Sequence, residues 1–330
     1  MSKAIKLLAK TPFLWACRPK GLYVFNYHRI GDPSSTPFDP NVFSCDVETF
    51  DKHLSFYEKH FTLLTLEQLQ QKLQTQSLED DRYACITFDD GYIDNYQSAF
   101  PLLNARGIPA SFFVATDFIA QNTVPWWDEI AYLVKACLAN SIDLSSLLKI
   151  SSLVIDDPSL CIKQVLNSVK HDDSTTLENV LETLRNAVNS ANSLEQVKQA
   201  PLFMDWTMLA EMQTAGMEIG SQTRTHRILA QLDKSEQSEE ISHALAEIDA
   251  HLPVNQRFFA YPVGGKDSFN QDTISLLQHH GYPFAFSFMG GINKNDCDVF
   301  QLRRFSVDGN CSTTALKKRV LEASIALFLA

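Results

Sequence analysis

The chain reads as an α/β protein, a distorted, partly open (β/α) barrel of about seven parallel strands with a helical insertion. Three observations lead there. Short apolar, aromatic-rich runs alternate with segments whose apolar residues recur three and four apart, the rhythm of strand and amphipathic helix. Between about residues 125 and 200 helical spacing persists without a strand of comparable strength. The 330 residues show no fixed-period repeat and no low-complexity linker, which favours one barrel-like unit, 1–330, over two domains.

Leu22 to Tyr27 is the first strand, and it delivers His28 and Arg29 just before the turn Gly31-Asp32-Pro33. Phe50, Leu54, Tyr57 and Phe61 share one helix face, and Thr65 with Gln68 makes a capping box for the helix of Leu66, Leu69 and Leu73. Tyr83 to Phe88 is the second strand; it stops on Asp89-Asp90-Gly91, ahead of a helix marked by Tyr96, Phe100 and Leu103. Ala110 to Val114 is the third. Strand, helix and strand in this order imply a parallel sheet with right-handed crossovers.

The insertion opens at Trp126-Trp127-Asp128-Glu129, and its stripes are Ile162, Val165 and Val169, then Leu177, Val180, Leu181 and Leu184. The α/β order returns at Asp205 with a helix through Gly216, a strand from Met217 to Ile219 and a long helix striped by Ile241, Leu245, Ile248 and Leu252. Strands at Arg257 to Tyr261, Phe284 to Phe288 and Leu302 to Val307 follow, with a helix at Ile274 and Leu277 between the first two and a closing helix from Ala315 to Leu329.

Composition narrows the function. A net charge of −11 and a pI near 5.3 disfavour a nucleic-acid surface, which needs clustered Lys and Arg. The 7 cysteines are odd in number, scattered and never spaced C-x-x-C, as in reduced thiols rather than a disulfide framework or a thiolate zinc site. Lys3, Lys6 and Lys10 interrupt the N-terminal apolar residues, which is too short a run for a signal-peptide core or a membrane span. A cytoplasmic chain is expected, with Ala4 to Trp15 able to lie on a membrane as an amphipathic helix or to dock on the core.

The chemistry-bearing residues fall at strand ends. Asp89 and Asp90 repel as neighbours, so both stay ionised only near a shared cation or proton. That arrangement suits one carboxylate on a metal and the other as a base, whereas on its own it also suits a helix-capping Asp-Asp-Gly turn. His28 sits at the end of its strand as Asp89 does, and reads equally as catalytic or structural. Trp126 is placed to stack on a sugar or to pack in a core. His53, His60 and His243 lie within helices and read as structural, and His279 and His280 as surface residues.

Thr87-Phe88-Asp89-Asp90-Gly91-Tyr92, Gly220-Ser221-Gln222-Thr223-Arg224-Thr225-His226 and Phe259-Ala260-Tyr261-Pro262-Val263-Gly264 together resemble the polysaccharide deacetylase superfamily, carbohydrate esterase family four. The resemblance implies a hydrolase of linear amide bonds with a divalent metal, zinc first and cobalt, nickel or manganese as alternatives. It implies Asp90 and His226 as metal ligands, Gln222 at the remaining ligand position, Asp89 as the base, the Tyr92 backbone N–H as oxyanion donor, and Tyr261 beside the substrate, where Trp126 is the residue read above as a stacking candidate. A metal of this kind activates water and polarises the carbonyl.

Three departures stand out. Gln222 replaces the first His of the family's His-x-x-x-His, and an amide oxygen is the weaker zinc ligand. Ala260 stands where an Arg that orients the base is often found. Leu302-Arg303-Arg304-Phe305 occupies the approximate place of a Leu-x-Leu-His whose His is the acid, so His28 is the candidate to fill a gap as ligand or acid. The implied substrate is an N-acetylated amino sugar in a polysaccharide, an oligosaccharide or a lipid-linked precursor. The alternatives are a deformylase of a formamido sugar and a glycan-binding protein whose metal chemistry has lapsed.

Overall fold

The computed structural model describes residues 15–119, 121, 123–150, 153–171, 174–188, 201–253 and 257–329. Of the N-terminal helix expected from Ala4 to Trp15, all but Trp15 lies outside them. Strand β1 (Gly21–Tyr27) leads through β2 (Arg29–Ile30) and β3 (Phe43–Cys45) to helix α1 (Val47–His60), β4 (Thr62–Leu63), α2 (Leu66–Gln74) and β5 (Arg82–Phe88). Helix α3 (Phe100–Arg106) and β6 (Ser111–Val114) come next. The insertion supplies α4 (Trp126–Ala139), α5 (Leu144–Leu148), α6 (Pro158–His171) and α7 (Ser174–Val188). Then follow α8 (Trp206–Thr214), β7 (Glu218–Ser221), α9 (Lys234–His251), β8 (Phe259–Ala260), α10 (Gln271–His279), β9 (Ala285–Phe286), β10 (Phe305–Ser306) and α11 (Thr313–Leu329).

The main sheet runs β10-β1-β5-β6-β7-β8-β9, every pairing parallel, and forms a curled half-barrel of seven strands. The short β4 shares an edge of β5 with β6, pairing at Tyr83 and Ala84 while β6 pairs at Thr87 and Phe88. From β7 onward successive strands share only one or two rungs, so the runs expected over Arg257 to Tyr261, Phe284 to Phe288 and Leu302 to Val307 contract to two residues each. Between β9 and β10 the curl is laced by Leu302 N–H to Ala285 O, Ser287 N–H to Leu302 O and Arg304 N–H to Met289 O.

Both faces of the sheet are covered, which is why β1 and β5 read as continuous apolar runs. Outward residues Tyr23, Phe25 and Tyr27 of β1 and Ala84, Ile86 and Phe88 of β5 pack with Phe50, Leu54 and Tyr57 of α1. Inward residues Leu22, Val24, Tyr83, Cys85, Phe113, Ala260 and Phe286 form the inner core. Continuing the same alternation toward the carboxyl ends, the inward positions become Asn26 and His28 on β1, Thr87 and Asp89 on β5, and Gln222 after β7. Period-two geometry thus changes the barrel interior from apolar to polar at one end.

The capping box expected at Thr65 and Gln68 is present, and α9 has another at Asp233 and Glu236. The segment read as a plain helix from Tyr96 begins with a π-helical turn, Asn95–Ala99. Its Asn95 Nδ2 donates to the carbonyl of His28, 2.6 Å away, and Asp94 pairs with Arg29 at 2.7 Å, so this turn ties down the end of β1. His53 is buried against Tyr27 Oη at 2.9 Å, and burial depresses its pKa to about 4. Helices α4 to α7 bury their stripes on one another in a separate cluster with Tyr92, Phe118 and Phe203. No helix among the described residues is long and apolar enough to cross a membrane.

Candidate active site

The turn after β5 is held in an unusual backbone conformation. Asp90 has φ +74° and Gly91 φ +82°, and a Cβ on Gly91 would meet Val114 Cγ1 at 3.0 Å and Ile119 Cδ1 at 3.1 Å. Only glycine meets both demands. Thr223, His226 and Val263, from the two other strand-end loops, are left-handed as well, at φ +68°, +58° and +60°. A non-glycine residue held there costs on the order of 1–3 kcal/mol, and such strain gathers where side chains must be aimed.

Asp89 is clamped. Arg304 Nη1 and Nη2 donate to its two carboxylate oxygens at 2.8 and 2.9 Å, and Asn26 Nδ2 donates to Oδ2 at 3.0 Å. Arg304 in turn gives Nε to Ser287 O at 2.8 Å and Nη1 to Asn26 Oδ1 at 2.6 Å, and Thr87 Oγ1 donates to that same Asn26 oxygen at 2.7 Å. The paired side chains are 0% and 3% exposed. A planar guanidinium meeting a carboxylate edge to edge fixes orientation as well as charge. Where the resemblance implies an orienting Arg, the chain has Ala260, and Arg304 reaches the carboxylate from the other side of the barrel. Sequence reasoning passed over Arg304, although its inward parity with Leu302, two residues earlier, was readable.

Asp90 faces His226, with Oδ1 and Nε2 3.4 Å apart. Burial pushes the Asp90 carboxyl up, but the hydrogen bond from His226 and the neighbouring His28 and Lys170 outweigh it and hold it below its ordinary value. Gln222 is buried, and its Oε1 accepts the Asp90 N–H at 2.9 Å. The Trp127 ring lies 4.6 Å from that of His226, whose Nδ1 is buried without a partner among the described residues. The donor separation in the Asp90–His226 pair matches the edge of a tetrahedron built on metal–donor bonds of about 2.0–2.2 Å. These two residues therefore fit a divalent cation. The third position does not match them, because the Gln222 oxygen is engaged by backbone; among the described residues no group of three His, Cys, Asp or Glu forms a metal cluster.

One cleft of about 620 Å³ gathers His28, Asp89, Asp90, Trp126, Gln222, His226 and Tyr261, and Lys163 and Lys170 of α6 also line it. His28 sits with its ring edge to face on Phe288, 5.7 Å between centroids. Trp126 is half-buried at the cleft wall and packs edge to face on Trp127. Tyr261 borders the cleft, but its ring is fully buried, stacks on Phe269 at 3.8 Å, and gives its hydroxyl to Phe300 O. That ring is committed to the core, so what Tyr261 presents to the cleft is its remaining atoms. Tyr92 also turns inward, donating to Asp128 Oδ2 at 2.8 Å and accepting from Trp127 Nε1 at 2.7 Å. Its backbone is different: the bridge to Phe203 is made by Met204 N–H to Gly91 O and Ile93 N–H to Leu202 O, which leaves the Tyr92 N–H outside that pairing.

A curled parallel sheet with acids and an imidazole at the carboxyl ends of its strands places this protein among the α/β enzymes with strand-end active sites. The polysaccharide deacetylase family model matches residues 77–146 and 156–285, more than half of the chain. The chain belongs to the polysaccharide deacetylase family, hydrolases acting on amide bonds. It is 29% identical over 98 residues to YxkH of Bacillus subtilis (strain 168), a match covering 29% of this chain and 33% of that protein. The chain thus spans about a third of the length of that curated relative.

Solved structures share the fold. The Streptococcus pyogenes deacetylase PplD, in complex with acetate, superposes with a TM-score of 0.58 at 16% identity, covering 93% of this chain and 99% of that one. IcaB from Ammonifex degensii gives 0.60 at 18%, covering 93% and 98%. A de-N-acetylase from Aggregatibacter actinomycetemcomitans gives 0.55 at 16%, covering 90% and 99%.

Proposed function

We propose that this chain hydrolyses the N-acetyl group of an amino sugar in a glycan or lipid-linked glycan precursor, using Asp89 as general base and Asp90 and His226 to hold a divalent cation, zinc by preference. The observation that carries the reading is the buried clamp of Arg304 and Asn26 on Asp89, beside the Asp90–His226 pair at the cleft floor. Among the structural neighbours, PplD is a deacetylase and the Aggregatibacter actinomycetemcomitans protein a de-N-acetylase, which agrees with this reaction class.

An amide carbonyl is a poor electrophile, so the site must activate water, stabilise the developing oxyanion and protonate the leaving amine. Asp89 Oδ2 already accepts two hydrogen bonds and Oδ1 accepts one. The unused lone pair on Oδ1 is therefore the place for the proton taken from water. The bound cation would supply Lewis-acid polarisation. The Tyr92 N–H is the oxyanion donor, and His28 gives the proton to the departing nitrogen, so that C–N cleavage yields acetate and a free amine. Seven unpaired thiols suit a reducing compartment, and we place the reaction in the cytoplasm on a soluble or lipid-linked precursor.

The test is acetate release from N-acetylated oligosaccharides, with elemental analysis of the purified protein. Asp89→Asn should lower turnover by about 10²–10⁴-fold while sugar binding is kept, the range expected for loss of a positioned base. Formate in place of acetate from a formamido sugar would move the substrate to the deformylase alternative. The engaged Gln222 oxygen favours one other reading, glycan binding with lapsed metal chemistry; metal found only in Gln222→His, with no turnover in the wild type, would establish it.

A further inference from the structure

We propose that the face of α6 carrying Lys163, Asn167 and Lys170 is an anion-binding subsite of the catalytic cleft, selecting glycans that bear a phosphate or carboxylate beside the acetamido sugar. The inference rests on the hydrolase reading for its substrate and adds the charge class of that substrate.

The three residues are spaced i, i+4 and i+7, which places them on one stripe of the helix. Its opposite stripe, Ile162, Val165, Leu166 and Val169, is buried in the insertion core, so the polar stripe has no freedom to turn away. All three polar residues line the same cleft as Asp89, Asp90 and His226. Among the described residues neither lysine lies within ion-pair distance of a carboxylate oxygen; Lys170 is acted on from farther off by Asp39 and Asp90, and Lys163 by Asp308.

Those carboxylates have nearer partners. Asp39 Oδ1 accepts from Asn41 N at 2.9 Å and Asn41 Nδ2 at 2.8 Å, Asp90 faces His226 at 3.4 Å, and Asp308 is held by Arg319 and Ser306, each at 2.5 Å. Burial lowers the pKa of Lys170, so its charge is held where water solvates it poorly and an incoming anion would compensate it. In a chain of net charge −11, the exposed Lys163 and the half-buried Lys170 bring two positive charges to the lining of the cleft that holds Asp89, Asp90 and His226. A neutral N-acetylated glycan offers them oxygen acceptors but no opposite charge.

The experiment is calorimetric titration of the full chain with three probes: N-acetylglucosamine 1-phosphate, a glucuronate-containing N-acetylglucosamine disaccharide, and the neutral N-acetylglucosamine disaccharide. At least one anionic probe should bind more tightly than the neutral one by about fivefold for each lysine engaged, with the preference eroding in 0.5 M salt, as expected for partly screened charges. Tighter phosphate than carboxylate binding would point to a glycosyl-phosphate source, and the reverse to an acidic polymer. The preference should vanish in Lys163→Ala/Lys170→Ala and survive in Lys163→Arg/Lys170→Arg, with melting temperatures used to confirm that each variant is folded. Equal affinity for all three probes, or a preference that persists in the double alanine variant, overturns the proposal. Because binding needs no turnover, a charge preference without acetate release would overturn the hydrolase reading and leave the subsite, whereas acetate release with equal kcat/KM on neutral and anionic substrates would do the opposite.

Discussion

Asp89, from the sheet, and Lys170, from the insertion, line one cleft, and the two sides are built differently. On the sheet side each polar group is fixed by several partners: Asp89 by Arg304 and Asn26, Asn26 by Thr87 and Arg304, Arg304 by Ser287. On the insertion side, Lys163 and Asn167 are exposed and Trp126 and Lys170 half-buried on helices whose order comes from their apolar backs. Proton transfer needs donors and acceptors already in place, and the sheet side, which we propose to be catalytic, is over-determined in that way. Selecting a substrate by charge tolerates moving side chains, so the other wall need not be.

Breaking the sheet wall should have the largest effect. Arg304→Met leaves Asp89 buried and unpaired, and should lower stability by about 3–5 kcal/mol in chemical denaturation while abolishing acetate release. Combining it with Asp89→Asn should restore part of the stability but none of the activity; if stability is not recovered, the clamp is not the source of the loss. Arg304→Lys keeps the charge without the fork, and should fall between wild type and Arg304→Met in both readouts.

A seam between the walls gives the next effect. Asp128 of α4 accepts from Tyr92 Oη and the Asp39 N–H, and burial raises its pKa from 3.8 to about 7 despite the nearby Arg29. The folded protein therefore holds this proton more tightly than the unfolded chain. Its stabilising contribution is complete below about pH 4 and is lost as the pH rises through 7, an effect on the order of 4 kcal/mol over the whole range. Urea midpoints at pH 5 and pH 8 should show that decline in the wild type and a flatter profile in Asp128→Asn.

Smaller effects belong to the insertion wall. Trp126→Ala should raise KM several-fold with kcat nearly unchanged, as expected for uniform binding; an equal fall in kcat would instead make Trp126 part of the transition-state machinery. Arg185→Ala removes an ion pair to Glu129 that joins α7 to α4, with Arg185 47% exposed, and should change stability by less than about 1 kcal/mol.

Legibility in the sequence follows the same division. The end of β5 at Asp89-Asp90, the loop carrying Gln222 and His226, and the helical stripes of the insertion were readable because each is a local pattern of period two or 3.6. The extent of the last strands was overestimated, since apolar runs near β8, β9 and β10 continue past the few rungs the curl allows. The motif placed Tyr261 at a strand end, where it stands, but only the structure shows that strand parity packs its ring on Phe269.

By itself the sequence determined the alternating architecture, the inward positions on each strand and the acids that close β5. Only the tertiary structure decided that Arg304 would meet Asp89 across 215 residues, that the Gln222 oxygen would take the Asp90 N–H, and that the lysines of α6 would line the same cleft as Asp89 and Asp90. Local periodicity sets which way a side chain points. Which strand ends converge depends on the curl and register of the whole sheet, and no short stretch of residues encodes that.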